Sequence, residues 1–188
     1  MQCKSNCLTV SRALRSAANP AEHDGSDFFN RSWAEFKVGF NDSLGNYWLG
    51  NELLHQLTTT GRYKLRFDLQ SRANHSWYYA EYSTFLVLSE QTNYTLRVSG
   101  YSGNANDALS RHKYMFTTYD RDNDPWTHSD PIYNNNCAVN VGGGFWYGSC
   151  DYCRVNGARR SPGGFIWYML PGGRTLQSCR MWLLCHIY

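Results

Sequence analysis

The chain has 188 residues, of which 16% are aromatic and 18% charged, and its formal charge is +3. This length suits one domain with a sizeable core, and the small, scattered charge includes no basic run that would favour binding to nucleic acid. No stretch approaches the roughly 18 apolar residues of a membrane span, so no transmembrane segment is expected.

Two parts of the chain differ in character. Residues 1–25 are polar and show no clear periodicity, which is typical of a linker or of the remnant of a truncated subdomain. Residues 26–188 carry the periodic apolar segments and are predicted to form the folded domain.

Short helices are predicted at the start of this domain. Asp27 can cap the first helix, because its carboxylate can accept a hydrogen bond from a backbone N–H group of the first turn. The aromatic residues that follow are spaced to bury one helical face, and they are Phe29, Trp33, Phe36 and Phe40. A second short helix is predicted around residues 52–57.

Alternation of apolar and polar side chains predicts strands over residues 63–69, 77–88 and 94–98. Their short polar connections indicate that these strands are antiparallel neighbours. From Gly100 onward the chain is rich in Gly, Asn and Asp, which is typical of loops. The predicted fold class is therefore α+β, with a central antiparallel sheet, short helices and a loop-rich subdomain.

Cysteines and glycosylation sequons indicate the secretory pathway. The chain has seven Cys and four N-x-[ST] sequons, at Asn30, Asn41, Asn74 and Asn93. Disulfides persist in oxidising compartments, where such sequons accept N-linked glycans. No apolar signal-peptide core is visible near Met1. We interpret the chain as a fragment or incomplete gene model of a secreted, extracellular glycoprotein, with a cytosolic protein as the lesser option.

An acidic loop adjoins a Cys-framed segment in the last third of the chain. Asp120, Asp122 and Asp124 alternate along the loop, and calcium binds several carboxylate and carbonyl oxygens in flexible geometry. A solvated acidic turn is the alternative, since Asp and Asn also favour turns. Cys137 and Cys150 frame a glycine-rich aromatic segment, which suits recognition of a ligand better than catalysis.

Catalytic constellations are not evident in the sequence. The six His show neither an H-E-x-x-H motif nor any paired ligand spacing. No glycine-rich phosphate loop joins a strand to a helix. The protein is not expected to be an enzyme.

Three motifs resemble those of the fibrinogen C-terminal (fibrinogen-related) domain family. Residues 33–40 match its W-x-x-[YF]-K-x-G-F motif, and residues 116–124 match F-[ST]-T-[YFW]-D-x-D-N-D. Residues 46–58 match E-[FY]-W-L-G-N-E-x-[IL]-H-x-L-T, with Asn46 in place of Glu. The resemblance covers roughly residues 26–184. It implies the α+β fold of that family, with its N-terminal subdomain missing.

The resemblance also implies roles for residues of the acidic loop. It assigns Ca²⁺ to the carboxylates of Asp122 and Asp124, joined by the main-chain carbonyls of Trp126 and His128. Between Asp124 and Cys137 the chain is several residues longer than the family pattern. This insertion affects the two carbonyl assignments and should leave the pair of carboxylates intact.

Cys137 and Cys150 match a disulfide of the family that lies beside the calcium loop. The pair Cys150-x-x-Cys153 could suggest zinc or redox chemistry, but pairing of Cys150 with Cys137 explains it better. The five other cysteines are Cys3, Cys7, Cys153, Cys179 and Cys185. Because five is odd, at least one thiol stays free or pairs between chains. Cys153 is a candidate partner for Cys179 or Cys185, and an interchain bond through an N-terminal cysteine would give a homo-oligomer of higher avidity.

The lectins of the family, such as ficolins and tachylectins, bind acetyl groups in a pocket beside this disulfide. Three positions of that pocket differ in this chain, at Val141, Asp151 and Ser161–Pro162. Among the residues that remain, Tyr147 and Asp151 are expected to contact a ligand.

The leading hypothesis is a secreted, calcium-dependent recognition domain that binds glycans or acetylated groups in innate immunity. One alternative is a protein-binding domain of the angiopoietin or fibrinogen type, in which calcium is purely structural. The other alternative is a degenerate fragment without binding activity, because several residues of the family's pocket are replaced and its N-terminal subdomain is not matched.

Overall fold

The computed structural model describes residues 8–14, 28–60, 63–110, 114–130, 132, 134–148, 150, 152–158 and 165–185. The strands are β1 (Leu8–Leu14), β2 (Phe40–Asn41), β3 (Tyr47–Trp48), β4 (Tyr63–Ser71), β5 (Trp77–Val87), β6 (Leu96–Gly103), β7 (Phe116–Thr117), β8 (Phe145–Trp146), β9 (Cys153–Arg154), β10 (Ile166–Trp167) and β11 (Leu176–Cys185). The helices are α1 (Trp33–Val38), α2 (Asn51–Thr58) and α3 (Cys137–Val141), with a 3-10 turn at Glu90–Thr92. Within these ranges, no helix has the length and apolar character needed to cross a membrane.

Seven strands form the central sheet, in the order β2-β3-β1-β11-β4-β5-β6, and every neighbouring pair is antiparallel. The three consecutive strands that the alternation predicts are β4, β5 and β6. The last strand of the chain, β11, lies in the middle of the sheet between β1 and β4. Two further two-stranded sheets, β7-β8 and β9-β10, belong to the loop-rich part. The predicted α+β class is confirmed.

The strand β1 lies within residues 1–25, for which the sequence predicts a linker or the remnant of a truncated subdomain. Its residues pair with β11 on one side and with β3 on the other, and Val10 is fully buried. The strand has only seven residues and does not keep a strict alternation of apolar and polar side chains, so its own pattern carries little β signal. Pairing with two neighbouring strands therefore decides its conformation, as is common for strands.

Helix α1 begins after a capping box. The Ser32 side chain accepts a hydrogen bond from the N–H of Glu35, and the Glu35 carboxylate accepts one from the N–H of Ser32. The helix ends at Gly39, where φ is 93° and an added Cβ would lie 2.7 Å from the carbonyl oxygen of Leu49. Only glycine fits this close approach without strain.

Helix α1 is therefore shorter than its aromatic spacing predicts. Asp27, the expected cap, lies outside the described residues, and Phe29 and Phe40 lie outside the helix. Both rings still pack into the core, with their centroids 6.0 Å apart. The second predicted helix, around residues 52–57, is confirmed as α2.

Four aromatic side chains join the helices to the loop-rich part. The Phe116 ring lies 5.0 Å from the ring of Phe36, 5.8 Å from Trp48 and 5.0 Å from Trp146, measured between centroids. All four side chains are buried. Burial of each contributes about 1.5–3 kcal/mol, so this cluster fixes β7, from which the acidic loop departs.

Candidate calcium and ligand site

Asp120, the first acid of the loop, contacts helix α1. One oxygen of its carboxylate accepts hydrogen bonds from the N–H of Trp33 at 2.9 Å and from the hydroxyl of Thr118 at 2.7 Å. A negative charge at this position satisfies a free backbone donor of the first helical turn. Asp120 therefore anchors the loop to α1.

Two further loop residues alternate with the acids and hold the loop against the core. The Arg121 guanidinium lies 4.1 Å from the centroid of the Trp33 ring and donates to the side-chain oxygen of Asn93 at 2.7 Å. The Asn123 side-chain amide donates to the carbonyl of Phe116 at 2.8 Å. With these anchors in place, the loop brings together the carboxylates of Asp122 and Asp124.

Asp124 is half-buried and binds two backbone N–H groups. Its oxygens accept hydrogen bonds from Trp126 and from Cys137, both at 3.0 Å. Burial raises the pKa of the Asp124 carboxyl to about 6, and the neighbouring Asp122 adds to this rise, while the two N–H groups oppose it. The Asp122 carboxylate is exposed and accepts a hydrogen bond from the Asp124 N–H at 3.3 Å.

This pair of carboxylates fits a hard cation. A carboxylate oxygen has two lone pairs, so the two backbone hydrogen bonds of Asp124 leave acceptor capacity on both of its oxygens. A cation between Asp122 and Asp124 would offset their repulsion and the cost of burying a charge. In the part of the chain that the structure describes, no three His, Cys, Asp or Glu side chains gather as a metal site. A calcium shell here would thus need carbonyl or water oxygens as well.

Trp126 and His128 lie on the same loop, directly after the carboxylates. Trp126 is half-buried against the core, and its ring centroid is 5.5 Å from that of the exposed His128. The N–H of His128 donates to the side chain of Asn135 at 2.9 Å, and its Nδ1 accepts from the N–H of Asp130 at 2.9 Å. The inserted residues thus turn back towards α3, and ligation of calcium by the two carbonyls stays a prediction.

Cys137 and Cys150 form a disulfide, and Cys137 is the first residue of α3. The preceding Asn136 caps this helix, since its side-chain oxygen accepts from the N–H of Ala138 at 2.8 Å. Its side-chain amide donates to the carbonyl of Thr118 at 2.9 Å. The acidic loop and the disulfide-framed segment are therefore joined on both sides of the Asp122–Asp124 pair.

Tyr147 does not lie where a ligand contact was expected. Its side chain is 1% exposed, and its hydroxyl donates to the carbonyl of Gly143 at 2.5 Å. A ring with an internal hydrogen-bond partner belongs to the core, so the expectation of a ligand contact at Tyr147 is corrected. Asp151, the other expected contact, lies outside the described residues.

A surface with aromatic and apolar side chains includes Tyr152, which follows the disulfide residue Cys150 by two positions and is half-buried. Tyr152, Tyr168 and Met169 form what we call the Tyr152 surface. The rings of Tyr152 and Tyr168 meet edge to face at 5.0 Å, and the N–H of Tyr168 donates to the carbonyl of Tyr152 at 2.9 Å. Tyr168 is 38% exposed and Met169 is 57% exposed. The backbone of Met169 has a φ of 60°, an uncommon conformation for a residue other than glycine that the sequence pattern does not predict.

The thiols of Cys153 and Cys179 are buried and free in this structure. Burial raises the pKa of both thiols far above the usual value for cysteine. Because Cys150 is bonded to Cys137, it has no thiol to share with Cys153, and the two residues do not form a zinc or redox pair in this structure. Cys153 is also not paired with Cys179. Cys3, Cys7 and the side chain of Cys185 lie outside the described residues.

The family model for the C-terminal globular domain of fibrinogen beta and gamma chains matches residues 20–183. The chain belongs to the fibrinogen C-terminal domain family. Human Ficolin-3 is 43% identical over 136 residues, which are 71% of this chain and 43% of that protein. Fibrinogen-like protein 1 of Bos taurus is 35% identical over 171 residues, which are 79% of this chain and 52% of that protein.

A solved structure of the same family supports the fold. The fibrinogen-like globe domain of human ANGPTL2 has a TM-score of 0.78 and 30% identity, and the match covers 96% of this chain and 81% of that chain. This chain spans about half the length of the curated relatives given above.

The four sequons of this fibrinogen-related domain differ in accessibility. Asn30, Asn41 and Asn74 are exposed, whereas Asn93 is half-buried. The amide of Asn93 binds Arg121, as described above, and donates to the sulfur of Met115 at 3.3 Å. Glycosylation of these residues stays a prediction.

Proposed function

We propose that this domain is a secreted, calcium-dependent recognition module that binds glycans or acetylated ligands, with a role in innate immunity. The observation that carries the proposal is the hydrogen bond from the N–H of Cys137 to the carboxylate of Asp124. It joins the candidate calcium residue to the disulfide-framed segment, which is the part of the domain that faces a ligand in lectins of the family.

Calcium would act on the ligand surface through this bond. A cation held by Asp122 and Asp124 fixes the Asp124 carboxylate in its ionised form, which is the better acceptor for the Cys137 N–H. Cys137 begins α3 and is bonded to Cys150, and Cys150 lies two residues before Tyr152. The Tyr152 surface, with two tyrosine rings and a methionine, offers the aromatic faces and hydroxyl groups that sugar ligands use.

The similarity to Ficolin-3 supports a lectin function, because ficolins are the members of the family that the resemblance associates with binding of acetyl groups. The low formal charge agrees with a neutral ligand. No catalytic role is proposed for any residue, and the expected ligand is bound without chemical change.

A second candidate is a protein-binding domain in which calcium is structural. Two observations favour it: Val141, at a pocket position of the lectins, is fully buried, and so is the ring of Tyr147. Ile132, in the inserted loop, is instead 77% exposed, and an exposed apolar side chain of this kind suits a protein partner. The chain is also similar to fibrinogen-like protein 1 and to the globe domain of ANGPTL2, neither of which is named as a ficolin.

A glycan and acetylated-ligand array separates the two candidates. The domain is applied in calcium and again in EDTA, together with Tyr168→Ala and with Trp77→Ala, a control that removes an exposed aromatic residue of β5. The lectin proposal predicts binding that EDTA abolishes and that Tyr168→Ala weakens, while Trp77→Ala binds normally. Binding that ignores EDTA, or no binding to any sugar or acetyl group, contradicts it and favours a protein ligand.

A further inference from the structure

A surface cleft of about 400 Å³ lies beside the acidic loop, and its described lining shares no residue with the Tyr152 surface. Among the described residues it is lined by Asn30, Tyr119 and Val139. All three are exposed, Tyr119 by 46% and Val139 by 44%. A cavity of this size lies in the range that binds small ligands, and an aromatic ring with an aliphatic neighbour gives it an apolar wall.

The Asn30 wall of the cleft is held in place from both sides. The carbonyl of Phe29 accepts a hydrogen bond from the N–H of Gly144 at 3.2 Å. On the other side, the N–H of Trp33 donates to Asp120 at 2.9 Å. Because both neighbours of this short segment are fixed to the loop-rich part, Asn30 keeps its place at the edge of the cleft.

The Tyr119 and Val139 walls are also fixed relative to each other. Tyr119 follows Thr118, whose carbonyl accepts from the side-chain amide of Asn136. Val139 lies in α3, and its N–H donates to the side-chain oxygen of the same Asn136 at 3.3 Å. One asparagine thus sets the spacing of the two apolar walls, so the cleft is preformed.

Asn30 is the acceptor residue of an N-x-[ST] sequon. In the described part of the chain no hydrogen bond engages its side-chain amide, whereas the amide of Asn93 has two partners. The adjacent Arg31 is directed to α1, where its guanidinium binds the Glu35 carboxylate at 3.0 Å. The amide of Asn30 is therefore free to carry a modification, and the cleft lies directly beside it.

We propose that an N-linked glycan on Asn30 occupies this cleft, with its first N-acetylglucosamine packed against Tyr119 and Val139. The glycan would come from a lipid pyrophosphate-linked oligosaccharide: Nδ2 of Asn30 loses a proton and bonds to C1 of the sugar, and the bond from C1 to the pyrophosphate oxygen breaks. The apolar C–H face of the sugar suits the Tyr119 ring. The acetyl methyl group has Val139 as an apolar partner.

The covalent tether is what selects this occupant. A sugar attached at the rim of the cleft is present at a high effective concentration, so no free ligand competes with it at ordinary concentrations. The cleft beside the acidic loop is then closed to external ligands. This inference is independent of the lectin proposal, because the glycan would stabilise the fold whether or not the domain binds sugars elsewhere.

The test begins with the occupancy of Asn30. The chain is fused to a secretion signal, expressed in a glycosylating eukaryotic cell and mapped by mass spectrometry of its peptides. The proposal requires a glycan on Asn30. Secreted, folded protein with an unmodified Asn30 overturns it.

A double-mutant cycle then tests the contact with the cleft. Asn30→Gln should lower the Tm by roughly 2–4 °C, the size of one ordinary interaction in a domain of this length. In a Tyr119→Ala background the same change should have little effect, because the ring that the sugar contacts is gone. Asn74→Gln is the matched control: it removes another exposed sequon, and its effect should add to that of Tyr119→Ala.

A second variant, Val139→Ser, repeats the cycle in case Tyr119→Ala alters the loop. Non-additivity of Asn30→Gln with either wall variant supports the proposal. Additive effects with both walls overturn it, as does binding of a free sugar to the glycosylated protein that Tyr119→Ala abolishes, since that result would show an open cleft.

Discussion

The backbone N–H of Cys137 lies 3.0 Å from the carboxylate of Asp124 and donates a hydrogen bond to it. One of these residues belongs to the candidate calcium site and the other to the only disulfide that the described residues contain. The charge of Asp124 therefore acts directly on the first residue of α3. This bond is the physical link between metal binding and ligand binding in the proposed function.

Replacement of Asp120 should separate helix capping from metal binding. Asp120→Ala removes the acceptor of the Trp33 N–H and should reduce the free energy of unfolding by about 1–2 kcal/mol. The rise in Tm on addition of calcium should persist, because Asp120 faces α1. Denaturant unfolding with and without calcium measures both quantities. Loss of the calcium response in a folded Asp120→Ala protein would place this carboxylate in the metal site instead.

Removal of the disulfide should weaken both the fold and calcium binding. Its cysteines are 13 residues apart, and closing a loop of this length contributes about 2–4 kcal/mol. The Cys137→Ala/Cys150→Ala double variant should lose that stability and bind calcium less tightly, because the Cys137 N–H loses its fixed position. A reducing agent should have the same effect on the wild type and a smaller effect on the double variant. Equal calcium affinity in the two proteins would contradict the link between Asp124 and the disulfide.

Glu90 should make the stability depend on pH on the acid side. Its carboxylate accepts hydrogen bonds from Lys37 at 2.6 Å and from the Trp33 indole at 2.8 Å, and the Lys37 bond is the largest cause that lowers the pKa of Glu90 below 4.5. Because the pKa of Glu90 is lower in the folded protein than in the unfolded chain, the ionised carboxylate stabilises the fold at pH values above the unfolded pKa. This stabilisation is lost as the pH falls through the pKa of the folded protein. Solvent screens the pair, whose side chains are 40% exposed at Lys37 and 34% exposed at Glu90, so the effect is small.

Unfolding curves of the wild type and Glu90→Gln between pH 7 and pH 3 measure this contribution. The wild type should be the more stable protein near neutral pH, and the difference should shrink as the pH falls below the pKa of Glu90. A difference that grows towards low pH would contradict this assignment.

The sequence predicts those parts of the molecule in which one local pattern decides the structure. Strict alternation in β4 needs no distant partner to be recognised, and motif identity is enough to pair Cys137 with Cys150. Helix α1 is shorter than its aromatic spacing predicts, because the capping box at Ser32 sets its start and the close approach of Leu49 to Gly39 sets its end. The strand β1 depends entirely on partners that are distant in sequence.

The candidate site shows the same limit. Asp120, Asp122 and Asp124 are equivalent in sequence, and only the position of α1 separates the first from the other two. Tyr147 and Tyr168 are the same residue type in similar sequence surroundings. Tyr147 is nevertheless buried and donates a hydrogen bond to the carbonyl of Gly143, whereas Tyr168 is exposed. Such differences arise from tertiary packing, which composition and spacing do not contain.

Titration of calcium into the metal-depleted domain tests the central claim most directly. Calorimetry on the wild type should detect one ion per chain, and saturation at about one hundred times the dissociation constant should raise the Tm by roughly 5–10 °C. Asp122→Asn should abolish both responses, while Asp130→Asn, a control at another acid of the same loop, should leave them unchanged. A folded wild type that shows no heat of binding and no shift in Tm would contradict the assignment of calcium to Asp122 and Asp124.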